Sequence, residues 1–509
     1  MENEYYLKIS RASDLKDKKE RILYRLLELF PGMFSWGTLF LFVFLSWKFP
    51  VFVAIFIIFF VFYWFLRTVY LSFHLRSGYK RMRESENMDW IEKIQKLEWQ
   101  KIYQFVMFTV YEEPLEIVRN GFLALENSDY PKEKMIVVLA LEEKTRNKVE
   151  SLASAIEKEF GGNFFKFLIT WHPEGMKGEI PGKGSNEAYS ASVTKKEIID
   201  PLKIPYENII FSSLDADTVV FPKYFSCLTY HYLTTKDPTK NSFQPIPLFT
   251  NNIWEATPFS RVFAFSSTFW HTMNQERPEK LITFSSHSMS FKALNDVGFK
   301  LKNVVSDDSR IFWQCFLQYD GDYRVKSLFY PISMDANCAK TTWRTLINIY
   351  KQQRRWAYGA ADIPYFLFGF LKNKKIPFYK KLSLGFELIE GHWSWATASF
   401  MIFVLGWLPL IIGGQEFSQS LFSYNLPRAI SWVLTLSMIG LISSAYFGII
   451  LLPQRPKGYK KIKYPLLVLQ WFLLPLMMIF FTALPALEAQ TRLMLGKYMG
   501  FWPTEKVRK

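Results

Sequence analysis

Apolar positions along this chain come in blocks. Met33 to Trp47 and Phe49 to Leu66 carry almost no charge, and comparable runs return at Trp393 to Gly413, Ala429 to Leu452 and Tyr464 to Ala486. Runs of this length and apolarity belong to helices that cross a bilayer. Lys48 and Pro50 interrupt the first block. An unbroken helix over it would be about 50 Å long against a hydrocarbon core of about 30 Å, so residues 31–77 are predicted to form a tight two-span hairpin. Before it, Lys18 to Phe30 sets Ile22, Leu23, Leu26 and Leu29 against Lys19, Arg21 and Arg25. That is an interfacial amphipathic pattern, closing an N-terminal segment 1–30. The last block carries Pro465, Pro475 and Pro485, which predicts a broken or re-entrant helix.

Between the blocks the pattern changes to short apolar runs alternating with amphipathic ones. Gln104 to Tyr111, Met135 to Leu141, Phe164 to Thr170 and Ile209 to Leu214 read as buried strands. Pro114 to Asn127, Arg146 to Phe160 and Ser185 to Asp200 read as the helices between them. Strand and helix in alternation predict an α/β domain, residues 78–350, built on a parallel sheet. Ligands of such sheets bind beyond the carboxyl ends of the strands. Residues 351–380 follow as an amphipathic, aromatic interface region, 381–487 as the C-terminal transmembrane region, and 488–509 as a cytoplasmic tail.

Half of the 509 residues are hydrophobic and 18% are aromatic. Because that excess is concentrated in the blocks, it marks a membrane protein. The formal charge of +16 also has a location: Lys16, Lys18, Lys19, Arg21 and Arg25, and again Arg455, Lys457, Lys460, Lys461 and Lys463, flank apolar runs. Positive-inside flanking accounts for it, so the expected surface partner is the lipid bilayer and no nucleic acid. The chain is expected to be a multi-pass protein of the cell membrane with its α/β domain in the cytoplasm. No secretory leader is expected, since about thirty polar or amphipathic residues precede the first apolar run. Cys227, Cys315 and Cys338 have neither zinc nor disulfide-scaffold spacing and are read as core residues.

Three polar constellations carry chemistry. Asp215-Ala216-Asp217 ends the apolar run of the fourth strand. Two carboxylates one residue apart there can face a sugar or base hydroxyl and a hard divalent cation, although a solvated turn has the same spelling. Val305-Ser306-Asp307-Asp308 precedes a helical stretch. A carboxylate aimed into the same cleft could act as general base, and the alternative is a simple N-cap. Gln352-Gln353-Arg354-Arg355-Trp356 sets guanidinium groups beside an indole, which suits a diphosphate and the C–H face of a pyranose, and also suits a membrane-interface belt.

Taken in order, these pieces resemble the membrane-integrated family-2 glycosyltransferases, the group of cellulose, hyaluronan, chitin and mannan synthases, whose pattern is D-x-D, an acidic pair, then Q-x-x-R-W. "FTVYEEPLEIV" is similar to that family's first-strand loop through Tyr111 and Glu113, and "GKGSNEA" to its K-A-G-A-L-N stretch through Lys183 and Asn186. Phe501-Trp502-Pro503-Thr504-Glu505-Lys506 is similar to the F-x-V-T-x-K loop of the cellulose synthase branch, with proline in place of valine. The resemblance implies a GT-A-like, Rossmann-related domain and an inverting transfer from a UDP- or GDP-linked sugar. Asp308 would be the base, and Asp217 the ligand of Mg²⁺ or Mn²⁺. Tyr111, Glu113, Glu142, Lys183, Asp215, Arg355, Thr504 and Lys506 would line the nucleotide sugar, while Gln352 and Trp356 would hold the glycan or lipid-linked glycan acceptor.

A polysaccharide synthase is therefore expected. The alternatives are a transferase adding a single sugar to a lipid or glycolipid, and a non-catalytic scaffold or transporter with a degenerate domain. Three simple spans after the catalytic domain would leave the tail on the wrong side for nucleotide. A re-entrant hairpin after Lys463 is the preferred way out, with an extra crossing hidden in Phe386 to Gly413 as the other.

Overall fold

In the computed structural model, which describes residues 2–456, 464–500 and 502, an eight-stranded sheet lies beside a group of long apolar helices. The strands are β1 (Tyr103–Thr109), β2 (Met135–Glu142), β3 (Lys166–His172), β4 (Ile209–Asp215), β5 (Val219–Val220), β6 (Asn241–Leu248), β7 (Ser288–Ser290) and β8 (Arg324–Ser333), in the order β3-β2-β1-β4-β7-β6-β8-β5. The first four pair in parallel, as the alternation of strand and helix predicts. β7 then runs antiparallel to β4 and to β6, so the whole sheet is mixed.

Successive residues of β1 and β2 enter opposite cores. Phe105, Met107, Ile136 and Val138 face one, while Val106, Phe108, Val137 and Leu139 face the other. Burial on both faces is why these strands read as continuous apolar runs. The chain order reverses between β1 and β4, where Thr109 pairs with Asp215. A crevice opens at such a switch point.

Helix Lys18–Lys48 is continuous, with Pro31 inside it, so the amphipathic stretch and the first apolar run form one rod. Phe49 alone separates it from Pro50–Asn87, whose proline sits in the first turn, where its missing N–H costs nothing. Among the described residues, four helices are long and apolar enough to cross a membrane by length and composition: these two, Leu421–Ile450 and Tyr464–Met494. Phe378–Phe403 and Leu405–Ile412 pass the same test together, bent by 44° at the break between them.

This bent pair starts beside the α/β domain, where Lys380 Nζ donates to Gly321 O. It ends at Gly413, packed on Pro50 at the turn between the first two helices. Leu421–Ile450 then runs alongside Pro50–Asn87 in the same direction, Gly440 against Thr68 and Phe447 against Tyr79.

Tyr464–Met494 is a series of short helical pieces with 3₁₀ and π turns between them, and Pro475 and Pro485 each fall in the first turn of a piece. It is no hairpin, yet both ends meet the domain side. Arg261 Nε donates to Gln470 Oε1 at 2.8 Å and Trp471 stacks on Phe269, while at the other end Arg25 donates to the carbonyls of Leu493 and Met494.

One buried ion pair anchors the helix that carries the acidic pair. Arg310 Nε lies 2.6 Å from Asp362 Oδ1, both side chains at most 2% exposed. Ser309 Oγ donates to the other carboxylate oxygen, and the guanidinium stacks over Tyr365. Removing one partner leaves an uncompensated buried charge. Asp362→Ala is expected to cost about 3–5 kcal/mol, read as a lower denaturation midpoint of the detergent-solubilised protein.

Candidate active site

β4 ends by delivering Asp215 to the switch point, and the turn after it carries Asp217 inward to 2% exposure. Helix Lys183–Thr194 brings Lys183 to the same place, its Nζ 2.6 Å from Asp215 Oδ1 and 3.1 Å from Asp308 Oδ2. Asp308 lies in the first turn of helix Asp307–Gln318. Ser306 stands at the N-cap position but makes no side-chain cap bond.

Lys300 completes the cluster, with Nζ 2.6 Å from Glu187 Oε2, 3.1 Å from Asp307 Oδ2 and 2.9 Å from Asp308 Oδ1. Glu187 also accepts from Ser213 Oγ at 2.6 Å and from Thr109 Oγ1 at 3.1 Å. Two carboxylates so close do not titrate alike. Burial, with the charge of Asp308 adding to it, pushes Asp307 up to about 6. Burial also works against the charge on Asp308, but Lys183 and Lys300 outweigh it and hold that carboxyl well below the usual range. His287, whose Nδ1 is 3.9 Å from Asp308, is lowered to about 4 by burial and by Lys300, so it is neutral near pH 7.

Asp217 is linked to the Gln352-to-Trp356 segment through the residues that follow β8. Asp335 N–H donates to Asp217 Oδ2 at 3.2 Å, and two residues on, Asn337 Nδ2 donates to Gln352 Oε1 at 3.1 Å. Asn251 joins the two acids, donating to Asp217 O at 2.9 Å and to Asp335 Oδ1 at 3.0 Å.

In helix Thr342–Ala357 the adjacent arginines diverge. Arg354 pairs with Glu488 of the last helix at 2.6 Å, whereas Arg355 is within electrostatic reach of Asp215, Asp307 and Asp308. Burial lowers the pKa of Arg355 and those three acids oppose it. Trp356 stacks on Phe263 with ring centroids 5.6 Å apart.

Just past β1, the Tyr111 N–H donates to Glu113 Oε2 at 2.7 Å, and Lys144 lies over the Tyr111 ring. Glu142 is committed elsewhere. It is the register partner of His172, which bonds it through Nδ1 at 2.9 Å and Glu179 through Nε2 at 2.9 Å. Thr504 and Lys506 lie outside the described residues.

The structure thus gathers Lys183, Asp215, Asp308 and Arg355 into one electrostatic cluster, and Asp217 and Gln352 onto one short loop. Sequence reasoning missed Glu187, Lys300, Asp335 and Asn251. A signal existed for Glu187, one helical turn after Lys183 at i+4. Among the described residues no three His, Cys, Asp or Glu side chains gather as a metal cage.

A half-parallel sheet with acids at its switch point, flanked by helices long enough to span a bilayer, is the architecture of a GT-A-like glycosyltransferase. The sequence model described as Glycosyl transferase family group 2 matches residues 210–484, more than half of the chain, and the chain belongs to that family of enzymes. No curated protein matches the chain in sequence. Among solved structures, similarity extends to a mannosyltransferase of Pyrobaculum calidifontis in complex with GDP-Man and Mn²⁺, at 12% identity and a TM-score of 0.40, covering 86% of this chain and 100% of that one. It also extends to residues 1–349 of S. aureus TarS in complex with UDP-GlcNAc, at 10% identity and a TM-score of 0.32, covering 68% and 92%. GalNAc-T7 with UDP, GalNAc and Mn²⁺ is similar at 11% identity and a TM-score of 0.34, covering 57% and 58%.

Proposed function

We propose that this glycosyltransferase moves a sugar from a UDP- or GDP-linked donor to the end of a growing glycan, by a single inverting displacement at the cytoplasmic face of the cell membrane. One observation supports it above the rest: three motifs spread from Asp215 to Trp356 are joined by two short bridges, Lys183 between Asp215 and Asp308, and the Asp335-to-Asn337 loop between Asp217 and Gln352.

In this reading Asp308 takes the proton of the acceptor hydroxyl. The acceptor oxygen attacks the anomeric carbon on the face opposite the diphosphate, and the bond to the diphosphate breaks. Tyr111, Glu113 and Asp215 hold the nucleoside, and Lys183 and Arg355 neutralise the departing phosphates. Gln352 and the Trp356 face seat the acceptor sugar.

The pair formed by Asp217 and Asp335, joined by the Asp335 N–H to Asp217 Oδ2 and by the Asn251 amide N–H to Asp217 O and Asp335 Oδ1, is a set of two carboxylates, hard oxygen donors. It is too small for a protein-only cage but fits Mg²⁺ or Mn²⁺ shared with a diphosphate, since such ions take one or two carboxylates and complete their shell with phosphate and water. When bound there, such an ion would stabilise the negative charge that develops on the leaving diphosphate.

Repeated addition, giving a polysaccharide, is the outcome this reading expects. Purified protein incubated with a panel of UDP- and GDP-sugars should release nucleotide from one donor and give a ladder of products by mass spectrometry. A single added sugar would instead make it a one-step transferase, and no nucleotide release from any donor would remove the reading.

A further inference from the structure

In the free protein the carboxylate assigned as base is held by two ammonium groups that sit very differently. Lys300 is enclosed: its side chain is 1% exposed, as is that of its partner Glu187, and Asp307 is 5% exposed. It also donates to Ser213 Oγ on β4, so its position is fixed from several directions. Lys183 is less enclosed, its side chain 10% exposed, although it too lies 3.7 Å from Glu187 Oε1. Its near partners Asp215 and Asp308 are 25% and 21% exposed, and it already spans the nucleotide carboxylate and the base. Lys183 also begins its helix, directly after Gly182 and a loop with left-handed glycines at Gly175 and Gly178.

We propose, resting on the function proposed above, that Lys300 is the fixed counter-ion that orients Asp308 while Lys183 is an exchangeable one, drawn from Asp308 to the donor's diphosphate when the nucleotide sugar binds. The base is then released only in a donor-loaded site. A flexible point charge with three donors is suited to such an exchange, and a diphosphate offers more negative charge than the carboxylate it replaces.

The charged and titratable groups around Asp308 are Lys183, Lys300, His287, Asp307, Glu187, Asp215 and Arg355. His287 is neutral and cannot replace the charge that Lys183 takes away. Losing one of two close cations strengthens the hold of Asp308 on a proton, which makes it a better acceptor for the hydroxyl proton. Lys300 is accordingly a positioning residue.

Full-length protein in detergent tests this through two pH profiles. The profile of kcat/KM for the donor reports the free site and that of kcat the loaded one. The acidic limb of kcat is expected at least about one pH unit above the other. In Lys183→Met the two limbs should coincide and the donor KM should rise at least about tenfold. Lys300→Met should lower kcat at least about tenfold with donor KM unchanged, and Lys300→Arg should recover part of it. Coincident limbs in the unmodified protein, or a separation that survives Lys183→Met, overturn the proposal and leave the transferase reading standing. Full turnover by Asp308→Asn removes that reading, and this proposal with it.

Discussion

Asp308→Asn is expected to lower turnover about 10²- to 10⁴-fold, the range by which a positioned base accelerates proton transfer. Asparagine keeps the shape of the side chain and can still accept from Lys300, but its amide takes up no proton. In the proposed function the donor is held by other residues, so UDP or GDP with Mn²⁺, followed by calorimetry, should still bind, and more tightly because Lys183 no longer leaves a charged carboxylate to reach the diphosphate. A variant that turns over at the normal rate would show that Asp308 is not the base. One that loses nucleotide binding as well would place the effect in the donor site, where Lys183 joins Asp308 to Asp215.

Chelation should have an effect as large. EDTA is expected to abolish nucleotide release, and excess Mg²⁺ or Mn²⁺ to restore it, because a divalent ion beside the diphosphate stabilises the developing charge by several kcal/mol. The same loss is expected of Asp217→Asn, whose amide is a poor substitute for a hard anionic donor. Turnover that continues in EDTA would take from Asp217 the role assigned to it. Loss of rescue in Asp217→Asn at metal concentrations that restore the unmodified enzyme would assign the metal effect to that carboxylate.

The parallel half of the sheet was legible because its strands are buried on both faces, and residues such as Val106 and Met107 can only be apolar when each enters a different core. Strand ends were read to within two residues: β3 was expected from Phe164 and begins at Lys166. The short strands β5 and β7, two and three residues long, leave no such trace. They exist because neighbouring strands offer them free backbone groups.

At the site, adjacency in sequence was readable and adjacency in space was not. The carboxylates at 215, 217, 307 and 308 stood out as pairs. Lys300 is a single lysine whose place beside Asp308 depends on the left-handed turn at Gly298 and Phe299, and an isolated φ above zero on phenylalanine cannot be foreseen. Glu142 is given to the nucleotide by the family resemblance alone. Its pairing with His172 follows from the β2–β3 register, which no local pattern encodes.

The path of the apolar helices has a consequence for supply. The first two helices leave the domain side and return, the bent pair and Leu421–Ile450 do the same, and the final apolar segment begins and ends where the catalytic machinery lies. Among the described residues, the opposite surface is therefore little more than the bend at Phe49 and the stretch 413–420. Under the proposed function, activated sugar, metal and nucleotide product would all trade with a single pool, and a regulator confined to the other compartment would meet little beyond those two stretches of the described residues.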